Sequence, residues 1–383
     1  MPKIVIDITE LANWDGELTG VPRVMSELCS RFKIKKDNIT FAKWDSGLGG
    51  LMEVVEEINS KKHNKVATKI TGLLKNNNLS KELFVQKNDI LLILADWHSS
   101  DINFVEYLLK KHDEGVLLIQ VVYDLLPIVT PQYSGHATEY VTRYARTVYP
   151  LCSLIMAISE NTKKDIIGWL STNGLKVPSV EVIRLGDDFH KAKSVMPKAF
   201  NDTIINNYIL CVGTIEARKN HMLLYYVYRL AFERKIKLPN LIVVGRAGWH
   251  AENIYEMLTG DPEVNGDIKV MQNINDNELS WLYDNSLFSI YPSFYEGWGL
   301  PVAESVRRGK VCLSSNMSSL PEIAGSLIKY FNPYSTDECL EAIVELANPT
   351  VLKEATGKLT NYKATSWDDT FDEVRAIINR YEQ

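Results

Sequence analysis

Two glutamates eight residues apart, Glu296 and Glu304, enclose the run Gly297-Trp298-Gly299-Leu300-Pro301. An apolar segment ends just before it, at Tyr291, and a helical pattern follows. Pro301 stands where that helix begins, a position at which its missing N–H costs nothing. Gly309 supplies a left-handed stop. Gly297 and Gly299 leave backbone N–H groups uncovered ahead of a helix N-terminus, which attracts phosphate or sugar oxygens. Carboxylates belong beside an anion site when they accept hydrogen bonds from hydroxyls, as an acidic residue does from ribose in dinucleotide-binding folds. The set suits a sugar nucleotide, with one carboxylate on ribose, one on the sugar and N–H groups on what lies between. A capped surface helix carrying two solvated glutamates fits the same spacing.

A second constellation lies upstream, where a strand ending at Val212-Gly213-Thr214 is followed by Arg218-Lys219-Asn220. Two cations at a helix start oppose the helix dipole. They are candidates to stabilise an anionic group, and preorganised charge of this kind is often the largest catalytic contribution. The alternative is the plain start of a surface helix. No metal-type carboxylate cluster accompanies them, so no metal is expected. Gly245-Arg246 follows another strand and either lies along a nucleotide or makes an ordinary turn. In the first half, Gly20 and Arg23 sit on the first strand–helix connection, where glycine allows close approach of a ligand. His98 ends a second strand. Tyr123-Asp124 opens a loop, with Asp124 either contacting sugar or acceptor hydroxyls or capping that loop.

The elements that must position these groups alternate in type. Short apolar runs at 4–8, 90–95, 116–122, 154–158, 208–213, 240–244, 268–271, 287–291 and 311–314 alternate with helical patterns, the signature of parallel sheets wrapped by helices. Ser159 or Asn161 caps a helix over 163–170, and Ser366 caps one running to Tyr381. The polar stretch 187–207 reads as a linker, and 38–87 shows no clear period. At 383 residues the chain suits two medium domains. The fold class is therefore α/β, with two Rossmann-like doubly wound domains facing each other across a cleft. Ligands in such sheets bind at the carboxyl ends of the strands. The net charge of −6 argues against a nucleic-acid partner. Five scattered cysteines, without a C-x-x-C pair, argue against a disulfide framework and point to a cytoplasmic location. The N-terminus has no signal-peptide layout, and no uncharged stretch is long enough to span a bilayer.

The segment Tyr-Glu-Gly-Trp-Gly-Leu-Pro-Val-Ala-Glu, 295–304, resembles the E-x7-E motif of retaining family-4 glycosyltransferases of the GT-B fold. The likeness extends through 276–293 and 311–325. Residues 212–220 resemble the Gly-x4-Arg-Lys-Asn form found in polysaccharide-assembly members, and 19–24 and 123–127 are similar to loops of the same subgroup. The resemblance implies an acceptor domain over 1–195, a nucleotide-sugar domain over 203–365, and a final helix, 366–383, packing back on the first. It implies Glu296, Lys219, Arg218 and Asp124 as catalytic. Glu304, Gly213, Thr214, Gly297, Trp298, Gly299, Leu300 and Arg246 would bind donor. Gly20, Arg23, His98 and Tyr123 would line the acceptor side. Two positions depart from the family pattern. Thr214 stands where many members carry arginine, leaving Arg218 as the substitute, and Tyr123 stands where many carry histidine. With a reference pKa of about 10, Tyr123 would not shuttle a proton at neutral pH. The implied activity is transfer of a hexose, best mannose from GDP-mannose, onto a polysaccharide such as a lipopolysaccharide O-chain. It needs no cofactor, and a dTDP- or UDP-sugar is the second choice. A lipid-linked or oligosaccharide acceptor implies peripheral contact with the inner membrane, which basic clusters at 31–36 and 61–65 would serve. A sugar-nucleotide epimerase or a catalytically silent glycan-binding partner are the rival readings.

Overall fold

The computed structural model describes residues 2–15, 18–34, 38–54, 79–95, 100–188, 193–198, 200, 207–248 and 251–382. The chain forms two compact units, Met1–Gly186 with Thr365–Gln383, and Asp187–Ala364.

In the first unit the buried runs pair side by side as β1 (Ile4–Asp7), β5 (Ile90–Ile93), β6 (Leu117–Val122), β7 (Leu154–Ala157) and β8 (Ser179–Val182), all parallel. The stretch without clear period contributes three further strands: β2 (Ile39–Asp45), β3 (Gly50–Val54) and β4 (Leu79–Glu82). Among the described residues the sheet order is β4-β3-β2-β1-β5-β6-β7-β8. β2 runs parallel to β1, while β3 and β4 add an antiparallel edge. Parallel strands buried on both faces read as continuous apolar runs. β2 is mostly half-buried, and that dilutes its pattern.

Helix α1 (Val21–Ile34) follows β1. Helix α2 (Glu160–Thr172) follows β7, and of the two candidate caps it is Ser159 whose Oγ accepts from the Thr162 N–H at 3.0 Å. The last helix of the chain, α6 (Trp367–Asn379), belongs to this unit. Ser366 and Asp369 form a capping box at its start, satisfying two N–H groups that would otherwise be orphaned. Phe371 meets Phe32 of α1 edge-to-face at 4.9 Å between ring centroids, and both rings are buried. Arg31 Nε donates to Asp368 at 2.8 Å.

The second unit is a six-stranded parallel sheet among the described residues: β9 (Tyr208–Val212), β10 (Asn240–Val244), β11 (Ile268–Met271), β12 (Phe288–Tyr291), β13 (Cys312–Ser315) and β14 (Tyr330–Phe331). Its order is β11-β10-β9-β12-β13-β14. Chain order therefore reverses between β9 and β12, which makes that pair the topological switch point, the crevice where doubly wound sheets take ligands. Helix α3 (His221–Glu233) follows β9, α4 (Asp276–Asn285) precedes β12, and α5 (Leu300–Arg307) follows it.

Phe371→Ala is expected to destabilise the first unit by about 3–5 kcal/mol through lost burial and an unfilled cavity. Urea unfolding measures this, and a loss below about 1 kcal/mol would mean that α6 contributes little to that core.

Candidate active site

β9 and β12 lie next to each other, with Phe288 opposite Ile209 and Ser289 opposite Leu210. Their carboxyl ends therefore deliver their loops to one place. From the β9 side come Arg218 and Lys219, in a single 3-10 turn, Ala217–Lys219. Asn220 then takes a left-handed conformation (φ 57°) and donates to the Pro292 and Pro333 carbonyls at 3.2 and 3.0 Å. From the β12 side come Tyr291, Ser293 and Glu296.

One oxygen, Glu296 Oε1, gathers what the two loops bring. It accepts from Lys219 Nζ at 2.6 Å, Ser293 Oγ at 2.7 Å and Tyr291 OH at 3.0 Å, and Arg218 Nη1 lies 2.8 Å away. Glu296 is 7% exposed. Burial alone would raise its carboxyl, but the charges of Arg218 and Lys219 overcome that and hold it at about 2. A buried carboxylate is tolerable only when paired and hydrogen-bonded in this way. Burial pulls Lys219 below its ordinary value while Glu296 pulls it up, and burial beside Glu296 drives the Tyr291 hydroxyl well above 10. The loop is pinned from outside as well. Arg218 donates to the Tyr295 carbonyl and to Glu216, and its own carbonyl receives the Phe294 N–H. Ser318 Oγ accepts from the Glu296 N–H at 2.8 Å, and Ser319 Oγ donates to the carbonyls of Glu296 and Trp298.

Gly299 caps α5 with φ 115°, and a Cβ there would stand 2.6 Å from a Leu320 methyl, so only glycine fits. Gly297 and Trp298 are buried on the same loop, and Leu300 is half-buried. Glu304 lies in the second turn of α5, buried, with the Tyr283 hydroxyl of α4 at 3.4 Å from its carboxylate. Thr214 and Gly213 lie on a segment zipped to the one after β10. Ile215 N–H donates to the Arg246 carbonyl, Gly248 N–H to the Ile215 carbonyl, and a Cβ on Gly245 would fall 1.9 Å from the Gly213 carbonyl oxygen. The Arg246 side chain is exposed.

The structure thus brings Arg218, Lys219 and Glu296 into contact, with Gly213 bordering the Lys219 side chain, Thr214 and Arg246 on the paired segments after β9 and β10, and Gly297–Gly299 leading from Glu296 into α5, which carries Leu300 and Glu304. Gly20, Arg23, Tyr123 and Asp124 lie in the first unit. Gly20 (φ 57°) starts α1, its carbonyl receiving the N–H groups of Arg23 and Val24. The Arg23 guanidinium lies 5.9 Å from the Trp367 ring centroid. Tyr123 is buried, and the Asp124 carboxylate accepts from the Leu126 N–H at 2.9 Å, as an Asx turn does. His98, the Trp249 that follows Gly248, and the 61–65 cluster lie outside the described residues. Sequence reasoning did not single out Tyr291, Ser293, Ser318 or Ser319 for the site. The available signal was a cluster of hydroxyl residues on the loops after two adjacent strands. Among the described residues no group of three or more His, Cys, Asp or Glu side chains gathers as a metal site.

His221, the first residue of α3, also escaped notice. It is 1% exposed, shares the buried face of α3 with Leu224, Val227 and Tyr228, and neither ring nitrogen has a hydrogen-bond partner of good geometry. Burial, reinforced by the Lys219 charge and only partly offset by the Glu216 backbone, pushes its imidazole down to about 4.

Residues 198–357 match the family Glycosyl transferases group 1. The chain is similar to O-antigen chain mannosyltransferase B of Escherichia coli, 25% identical over 271 residues, which covers 69% of this chain and 70% of the relative. It is also similar to the serotype-specific mannosyltransferase WbdA of Escherichia coli, 26% identical over 245 residues, which covers 60% of this chain but only 30% of that longer protein. Among solved structures, Anabaena Alr3699/HepE in complex with UDP and glucose superposes with a TM-score of 0.66 at 12% identity, covering 99% of this chain and 100% of that one. The fold is GT-B.

The buried imidazole gives a pH signature. Between about pH 6.5, where an unfolded histidine takes its proton, and about 4, where the folded ring does, the unfolded state binds more protons. Stability therefore falls as pH drops through that window. The expected loss from pH 7.5 to 4 is about 3 kcal/mol. Urea unfolding at pH 7.5, 5.5 and 4 should show this slope reduced in His221→Leu. Equal slopes in both proteins would clear His221 of any part in it. The Glu296 contribution is lost lower, as pH falls from about 4.5 towards 2.

Proposed function

We propose, for a chain whose residues 198–357 are a group 1 glycosyltransferase domain, that it transfers a hexose from a nucleoside-diphosphate sugar to a growing cell-surface polysaccharide, with retention of configuration and without a bound metal. The observation that carries this is the buried Lys219–Glu296 pair at the β9/β12 switch point. It sets an ammonium and a carboxylate side by side where doubly wound folds take nucleotides. In the reaction the bond from the anomeric carbon to the diphosphate oxygen breaks. The acceptor hydroxyl bonds to the same face of that carbon, and a phosphate oxygen takes the hydroxyl proton. Lys219, the N–H groups of the 297–300 loop and the start of α5 then stabilise the departing diphosphate. Glu296 and Glu304 accept from sugar and ribose hydroxyls. Lys219 and these N–H groups take the place at the diphosphate that a Mg²⁺ ion has in metal-dependent enzymes.

Mannose from GDP-mannose is the favoured donor, and a lipopolysaccharide O-chain the favoured product, on the likeness to O-antigen chain mannosyltransferase B. A UDP-sugar is the second reading, favoured by the likeness to a structure holding UDP and glucose. Among the described residues no helix is long and apolar enough to cross a membrane. A lipid-linked acceptor would be met by peripheral contact at the cytoplasmic membrane face.

Incubating the protein with GDP-mannose, UDP-sugars and dTDP-sugars, with and without oligosaccharide acceptor and EDTA, tests the proposal. Nucleoside diphosphate is expected to be released from one donor in an acceptor-dependent, EDTA-insensitive way. Donor conversion without acceptor would favour epimerisation, and no release from any donor would point to a silent partner. Lys219→Ala is expected to slow transfer by about 10²–10³-fold, with Glu304→Ala acting mainly on donor KM. Wild-type turnover in the lysine variant would remove Lys219 from the mechanism.

A further inference from the structure

The Lys219 ammonium is largely withdrawn from water: its side chain is 14% exposed and rests over the Tyr291 ring, 5.1 Å from the centroid. A lysine in such a place tends to lose its proton. A neutral lysine cannot hold a diphosphate. We infer that Glu296 divides its two oxygens between two tasks: Oε1 keeps Lys219 charged and aimed, while Oε2 stays open to a substrate hydroxyl. This deepens the transferase reading and rests on it for the second task only.

Geometry supports the division. All three hydrogen-bond donors that reach the Glu296 carboxylate converge on Oε1, and the Arg218 guanidinium pairs with the same oxygen. Oε2 receives none from the described residues. Lys219 in turn directs two of its three N–H donors at Glu296 and at the Tyr291 hydroxyl, 2.6 Å each, which leaves one for a phosphate oxygen. The ammonium is thus held at a fixed point with one donor unassigned. Arg218 does not share that freedom. Its guanidinium is also tied to Glu216 and the Tyr295 carbonyl, so it fixes the loop and leaves Lys219 as the group that meets the leaving diphosphate.

Among the described residues, the charged and titratable groups around Lys219 come from two loops, α3 and β9. Arg218 and Glu216 lie on its own loop, and Glu296 and Tyr291 on the β12 side. His221 begins α3, and Cys211 is buried in β9. Arg218 and Glu216 offset each other as an ion pair. The neutral His221, the Tyr291 hydroxyl and the buried Cys211 thiol carry no charge near pH 7. Glu296 is then the group whose charge decides the lysine's protonation.

Competitive acetylation of Lys219 by acetic anhydride from pH 6 to 10, followed by mass spectrometry of its peptide, reads that protonation without any donor or activity. In Glu296→Gln the titration midpoint is expected to fall by at least one unit, so that Lys219 reacts about tenfold faster at pH 7. Glu296→Asp, which keeps the charge but lengthens the contact, should give a midpoint clearly below the wild type and above that of Glu296→Gln. An unchanged midpoint in folded Glu296→Gln overturns the inference, even if transfer is lost. A shifted midpoint with no nucleotide-sugar activity in the wild type would sink the transferase reading and leave this role of Glu296 standing. Should Glu296→Gln not fold, the aspartate variant decides. Lengthening the Lys219 contact lowers the midpoint if Glu296 sets the charge, and a wild-type midpoint in that variant counts against it.

Discussion

A single carboxylate oxygen holds the site together. Glu296 Oε1 is where the loop after β9 and the loop after β12 meet, and two cations and two hydroxyls from those loops converge on it. The geometry depends on charge more than on shape. Removing Glu296 would leave two cations with less compensation in a mostly buried pocket, whereas removing one cation would leave a carboxylate underpaired. Breaking one partner of a buried pair typically costs about 3–5 kcal/mol. The pair is therefore a constraint on folding of this unit before it is anything else, and its chemistry is built on a contact the fold already requires.

The sheet order explains why the convergence happens at all. Arg218 and Glu296 are far apart in sequence, but β9 and β12 are adjacent, so the carboxyl ends of the strands present both loops on one edge. Close backbone approach does the rest. Gly245 lets the loop after β10 lie on the Gly213 carbonyl, and Gly299 lets the start of α5 fit under Leu320. Ser318 and Ser319, carried by the loop after β13, fix the backbone of Glu296 and Trp298. Four loops from the carboxyl edge of one sheet thus determine the position of one side chain.

The parts legible in the sequence are those that announce themselves locally. Glu296, Lys219 and Arg218 are charged residues at glycine-flanked strand ends, where solvent-facing surface chemistry and site chemistry both concentrate. The strands of the second unit are buried on both faces and read as apolar runs. β2 is mostly half-buried and β3 is buried over its first three residues without alternating, so the antiparallel edge of the first sheet was not visible. Tyr291 and Ser293 lie inside recognisable runs but gain their role only from convergence, which spacing does not encode. His221 was hidden for the opposite reason: a polar residue at the head of a helical pattern reads as an exposed terminus, and only packing places it in the core. Asp124 shows how a local pattern can carry two meanings, since the turn it caps accounts for its presence in that loop.

The charge count at the site bears on the missing arginine at position 214. Arg218 and Lys219 contribute two positive charges, Glu216 and Glu296 two negative, so the cluster is neutral before any ligand arrives. A neutral, hydrogen-bonded cluster can be buried without unpaired charge. An added arginine at Thr214 would leave one cation in excess beside Lys219. The Thr214 methyl lies so close to Gly248 that a Cβ on that glycine would be 2.5 Å away. The Thr214 methyl is thus packed against the Gly248 backbone in the zipper between the loops after β9 and β10. Threonine at 214 and glycine at 248 therefore make one arrangement, in which backbone approach replaces a charged side chain. Attraction for an anion then falls to the remaining Lys219 donor and to the N–H groups ahead of α5.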